Sequence, residues 1–190
     1  MWDPKYSGEI LTFNNSRDAF GVAQYLLGYD VNSTNPDEWR AAEEKLKEQK
    51  PLIQSYVMDE VFNKMEAGEA AMAPYYAGDY LTMKQENDDL AFVYPKEGTN
   101  KFVDVMCIPS SSENKEAAEL FINYMCEPEV ALHNANYLGY LCPVTAVLSD
   151  DRYEYKDNEV LYPKQEVKTQ FFHNLDQDTL DLLSKLWEDL

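Results

Sequence analysis

Two periods of apolar residues run through the chain, and they predict alternating helices and strands. Residues 17–27 carry Ala19/Phe20, Val22/Ala23 and Leu26/Leu27, the spacing of one buried helix face, between the capping run Asn14-Asn15-Ser16 and Gly28. Asn35-Pro36 opens a second helix through Trp39, Ala42 and Leu46, with Glu43, Glu44, Lys45, Lys47 and Glu48 on a solvated face, until Pro51. Further helices are predicted over 59–66, 79–86, 115–126, 128–138 and 179–190. Short apolar runs at 10–13, 53–57, 70–76, 92–94 and 102–108 predict strands. Residues 150–163 are polar and predict a loop. Strands alternating with helices place the chain in the α/β class.

One of those runs carries candidate chemistry. Phe102-Val103-Asp104-Val105-Met106-Cys107-Ile108 ends at Pro109 and sets a carboxylate inside an apolar strand, where burial is costly unless something pairs with it. Strand alternation puts Phe102 and Asp104 on one face, a ring beside an anion, which suits an organic cation. The alternative is a core strand whose Asp104 only accepts main-chain hydrogen bonds. Asn15 and Asp18 sit at a strand-to-helix junction, where polar groups commonly meet ligands, although a helix cap and a first-turn acid read the same way. Tyr75-Tyr76 precedes a second such junction at Ala77-Gly78-Asp79.

Composition narrows the partners. The 190 residues hold 35 acids against 16 bases, a net charge of -19, which disfavours nucleic acid and anionic membrane surfaces. Cys107, Cys126 and Cys142 form neither a CxxC nor a His/Cys cluster, so no cofactor or metal framework is expected; two of them can pair in an oxidising compartment. No 18-residue apolar run or signal peptide is evident. Nucleophile-elbow, P-loop, zinc-protease and dinucleotide motifs are missing, and His133 and His173 lack a Ser or Cys partner in a recognisable frame, so nothing marks an enzyme.

Four motifs in order carry a resemblance: Trp2-Asp3-Pro4-Lys5-Tyr6-Ser7-Gly8, Tyr94-Pro95-Lys96-Glu97-Gly98, Phe102-x-Asp104 ending in Ile108-Pro109, and Leu138-Gly139-Tyr140-x-x-Pro143. Lys115-Glu116-Ala117-Ala118 and Leu161-Tyr162-Pro163 add to it. Together they resemble the C-terminal part of the spermidine/putrescine-binding proteins of ABC importers, over essentially the whole chain. The resemblance implies an α/β, type II periplasmic-binding-protein-like fold, a mixed sheet flanked by helices, comprising the second lobe plus part of the first. Residues 1–105 would form the second lobe, 106–140 a segment of the first, and 141–190 the return and C-terminal helix. The implied partners are a polyamine, held as two lobes close on it, and ABC permease subunits. The implied place is the periplasmic or extracellular face of the membrane, by lipid anchor or permease fusion.

The resemblance also points to residues. Phe102 and Asp104 match the family's aromatic–aspartate pair, and Tyr76 matches a strand-to-helix aromatic that is usually Trp. Tyr140 matches the tyrosine of Gly-Tyr-x-x-Pro. Asn15 and Asp18 match an acid pair, and His173, after Phe172, matches a polar residue that is usually Gln. Asn15 in place of an acid and the short Asp18 weaken or re-space the second amine site, and a charged His173 would repel a polyamine. Asp104→Asn is expected to weaken amine binding more than Phe102→Leu. The family's first lobe begins with a segment that would precede Met1, so the chain is expected to be a fragment that binds polyamine weakly or not at all and self-associates through an apolar face. The alternatives are a ferric-ion carrier using Tyr75/Tyr76 with His173 or Asp104, and a ligand-free scaffold of the same fold.

Overall fold

A computed structural model describes residues 1–190. It falls into two compact units: Met1–Tyr76, Met83–Phe102 and Val167–Leu190 make one, and Ala77–Thr82 with Val103–Glu166 makes the other.

The first unit is built around β1 (Ile10–Phe13), all four of whose residues are buried. That run does not alternate because β1 has neighbours on both sides. It pairs in parallel with β2 (Ile53–Val57), and on its other edge Ile10 bridges Met72 while Leu11 N–H donates to Met72 O at 2.9 Å. Between β1 and β2 lie α1 (Ser16–Leu27) and α2 (Pro36–Gln49). Their apolar stripes meet α8 (Gln177–Glu188) in one core of Phe20, Ala23, Trp39, Ala42, Leu46, Leu183 and Leu186. A second cluster, Leu11, Val57 and Val61, packs the strands on α3 (Glu60–Glu66), with Phe62, Met65 and Tyr75 at its margin. A separate parallel pair joins β3 (Thr99–Lys101) to β4 (Thr169–Phe171). The expected α/β class with helices flanking small sheets is observed, and every strand pairing is parallel.

The second unit is helical. It holds the first turns of α4 (Ala77–Glu86), then α5 (Lys115–Met125), α6 (Pro128–Leu138) and α7 (Thr145–Leu148). Its core is Ala131, Leu132, Ala135, Val147 and Tyr153. Arg152 ties the following turns to α6 by a bidentate pair with Glu129 (3.0 and 2.7 Å) and by contacts to Asp150 at 3.0 and 2.7 Å.

Several expectations are corrected. Residues 102–108 are not a strand, and Asp104 is exposed rather than buried. A strand needs a neighbour's N–H and C=O groups. β3 and β4 end together at the Lys101–Phe171 register pair, and no strand pairs beyond it, so Val103, Val105 and Met106 stand 70%, 73% and 51% exposed. Phe102 and Asp104 therefore share no pleated face. Residues 92–94 likewise form no strand, and Val93 is exposed. The run at 70–76 contributes only the single bridge at Met72. Glu43 is buried, not solvated, and is paired with Lys47 at 2.7 Å. β3, β4 and α7 were not expected. All three cysteines are unpaired. No helix is long and apolar enough to cross a membrane.

Candidate functional site

In the first unit, three chain segments end at one cluster. β1 delivers Phe13 and then the start of α1, the extended stretch after Met72 delivers Tyr75 and Tyr76, and β3 delivers Asn100 and Phe102. Parallel strands commonly present ligand sites beyond their carboxyl ends, and this cluster lies beyond the carboxyl end of β1. Asn15 is spent as the helix cap, its Oδ1 accepting from Arg17 N–H at 2.9 Å and Asp18 N–H at 3.2 Å. That cap fixes the first turn of α1 and aims Asp18. The Asp18 carboxylate accepts from the Tyr76 hydroxyl at 3.1 Å and more loosely from Asn100 Nδ2 at 3.5 Å. Tyr76 is held among rings: Tyr75 at 4.9 Å, Phe13 at 5.5 Å, and Phe102 edge-on at 5.5 Å. The result is one half-buried carboxylate beside an aromatic wall. Burial lifts the Asp18 pKa above the ordinary carboxylate value, against the opposing hydrogen bond from Tyr76 and the charge of Arg17.

Arg17 supports this cluster from behind. Its guanidinium lies over the rings of Phe172 (4.6 Å) and Trp39 (5.4 Å) and donates to Asn32 Oδ1 at 3.0 Å and His173 O at 3.5 Å. Asn32 Oδ1 in turn accepts from His173 N–H at 2.7 Å. The structure thus uses the main chain of His173 to close the loop on α1, while the His173 side chain is exposed. Arg17 was not singled out in the sequence. The signal was its position between a capping Asn and an acid, which a cation does not occupy for helix-dipole reasons.

In the second unit, Tyr140 follows Gly139, whose φ of 69° ends α6. The ring lies flat on Gly78 at the start of α4, where an added Cβ would fall 2.2 Å from Tyr140 Cε2. The hydroxyl donates to Asp79 Oδ1 at 3.1 Å, and the Asp104 carboxylate lies near enough for its charge to act on the phenol. Burial first, then Asp79 and Asp104, push the Tyr140 phenol well above its ordinary pKa. Asp79 is the residue the motif comparison passed over. Of the expected residues, Asn15, Asp18, Tyr76 and Phe102 come together in one unit, with the loop at His173 fixed behind them. Asp104 and Tyr140 share the other unit. No group of three or more His, Cys, Asp or Glu side chains is arranged to hold a metal, and Tyr76 directs its hydroxyl to Asp18.

Such carboxylate–aromatic clusters are chemically suited to an organic cation. Residues 1–161 match the family model for bacterial extracellular solute-binding proteins. The chain belongs to this family. Among solute-binding proteins with curated names, the spermidine/putrescine-binding periplasmic protein of Escherichia coli K12 is 32% identical over 166 residues, 87% of this chain and 48% of that protein. The crystal structure of the spermidine/putrescine transporter substrate-binding protein PotD from Streptococcus pneumoniae is 29% identical, with a TM-score of 0.81 over 99% of this chain and 59% of its own. A Listeria monocytogenes structure assigned to spermidine/putrescine ABC transport is 32% identical, with a TM-score of 0.84 over the same shares. The chain spans about half the length of the curated relatives it matches. The family is one of solute-binding transport proteins rather than enzymes.

Proposed function

We propose that this chain is part of the solute-binding component of an ABC importer for polyamines of the spermidine/putrescine class. It would be a portion of a longer protein that acts outside the cytoplasmic membrane, by lipid anchor or permease fusion, and hands its ligand to permease subunits. The observation that carries the reading is the Asp18–Tyr76–Phe102 cluster. A carboxylate takes an ammonium, and adjoining rings take its methylenes and part of its charge. Relatives at 32% identity whose names specify spermidine and putrescine support the same ligand class. Asp104 and Tyr140 are the corresponding acid and ring of the second unit, and Asn15 serves as the cap that aims Asp18. The exposed face of α5, where Leu120, Phe121 and Tyr124 are 65%, 57% and 58% exposed, is a surface through which the chain self-associates when nothing else covers it.

The test is a thermal-shift and calorimetric panel of putrescine, spermidine, butylamine and glutarate on this chain and on a longer protein that contains it. Diamines and triamines should bind in preference to the monoamine, and glutarate should not bind. Equal responses to all four, or none in the longer protein, would refute the proposal.

A further inference from the structure

We propose that Asp79 is a positioning residue that, with Gly78, seats the Tyr140 ring on the first turn of α4 and sets its hydroxyl to accept hydrogen bonds from a ligand. The role of the ring in ligand binding rests on the polyamine reading above; the seating itself is geometric.

Three contacts converge on Tyr140. The ring covers Gly78 so closely that a Cβ there would lie 2.2, 2.3 and 2.5 Å from Cε2, Cδ2 and Cζ, a space only glycine leaves. The hydroxyl donates to Asp79 Oδ1 at 3.1 Å. The Tyr140 carbonyl accepts from the Tyr153 hydroxyl at 3.3 Å. Gly139 brings the main chain into van der Waals contact with the same turn, its Cβ position lying 3.4 Å from Gly78 O. Ring, hydroxyl and main chain are therefore each fixed by a different partner.

A phenol has one proton to give. Committed to Asp79, that proton is not offered to a ligand, so a further bond between the hydroxyl and a ligand must be one the oxygen accepts. The charged groups near the phenol, Asp79 and Asp104, are both anions. A seated Tyr140 therefore favours ligands that bring N–H donors and positive charge, and disfavours carboxylates and phosphates, which bring only acceptors. This polarity is a property of Asp79, not of the tyrosine alone.

The experiment labels the tyrosines of the chain with 13C at Cζ and assigns Tyr140 by its loss in Tyr140→Phe. Asp79→Ala and Asp79→Asn are then compared with the parent, with and without putrescine or glutarate. In Asp79→Ala the Tyr140 signal should shift and titrate at lower pH, and putrescine affinity should fall about tenfold. Asp79→Asn keeps an acceptor of the same shape and should restore the ring's contacts with Gly78 while the phenol still titrates lower. It also keeps the test open should the alanine variant fail to fold. An unchanged Tyr140 signal and titration in both variants would overturn the proposal. Putrescine binding neither to this chain nor to a longer protein that contains it, while the Asp79 variants move Tyr140 as described, would uphold the seating and sink the polyamine reading instead.

Discussion

Replacing Asp18 by asparagine separates the structural cost of the cluster from its ligand-binding value. The substitution keeps the shape and an acceptor for the Tyr76 hydroxyl but removes the charge. An ammonium at about 4 Å from this half-buried carboxylate gains roughly 4 kcal/mol of Coulomb energy at an effective dielectric of ~20. After desolvation, a charge-assisted hydrogen bond retains about 1.5–3 kcal/mol. Asp18→Asn should therefore weaken putrescine binding by roughly 10- to 150-fold, since about 1.4 kcal/mol is a factor of ten. Asp104 is exposed in this chain, where an ion pair contributes about 0.2–1 kcal/mol. Asp104→Asn should then cost no more than about fivefold, which places Asp18 ahead of Asp104.

The same carboxylate supplies a check on stability. Its folded pKa is raised above the ordinary value of 3.8, chiefly by burial, so its ionised form burdens the fold at neutral pH. That burden lifts as the pH falls through the raised pKa toward 3.8. Asp18→Asn should raise the thermal midpoint at pH 7 and reduce the gain on mild acidification, the stability–function trade expected of a binding residue. An ammonium favours the ionised form, so putrescine binding near the raised pKa should expel a proton, and Asp18→Asn should abolish that release. Putrescine titrations followed by NMR, which reads millimolar affinities, with calorimetry in two buffers for the proton count, measure all of these. A larger loss for Asp104→Asn than for Asp18→Asn, or a lower thermal midpoint in Asp18→Asn, would refute the reasoning.

Other outcomes follow from individual contacts. Arg17→Met removes the contacts over Phe172 and Trp39 and the bonds to Asn32 and His173 O, so it should cost about 1–3 kcal/mol. Hydrogen exchange should then quicken at residues 169–173, and thermal unfolding gives the cost. Gly78→Ala drives a methyl into the Tyr140 ring and should cost about 1–3 kcal/mol by overpacking; Tyr140→Ala should relieve it in the double variant. The Asp150 pKa is held down to about 2 by Arg152, so its stabilisation is present above the ordinary 3.8 and lost as pH falls toward 2. Asp150→Asn should flatten that part of the acid-unfolding curve. Light scattering should show concentration-dependent association that Leu120→Lys reduces, and a monomer at all concentrations would count against the α5 surface.

What the sequence made legible was governed by local rules. The Asn15 cap, the Phe20 and Ala23 stripe of α1, Pro36 at the head of α2 and the stop at Gly139 each depend on residues within a turn or two. All these elements were read to within two residues. Asp18 and Tyr76 are each set by the element end that carries them, and those ends meet beyond β1. What escaped was set by partners distant in sequence. β3 is Thr-Asn-Lys, which has no apolar signature, and it exists because Thr169–Phe171 lies beside it. Glu43 looked solvated on a helix map, yet tertiary packing buries it, while its partner Lys47 one turn on stays exposed.

Residues 102–108 show the converse. Their composition is that of a strand, but composition supplies only a tendency, and a strand exists only where a second backbone offers its hydrogen bonds. Within this chain that backbone ends at Phe171, so a run that reads as core lies open and carries Asp104 into water. The inference of a buried anion therefore failed at its structural premise, while its chemical premise was met elsewhere. An acid next to an aromatic wall is present, but it is Asp18, placed by a helix cap, under Tyr76 and Phe102. Residue types and their matches pointed to an acid beside rings, whereas the burden of burial followed pairing that only the fold reveals. For this chain the half-buried acid, not the one set in the most apolar sequence, is where an ammonium should gain most.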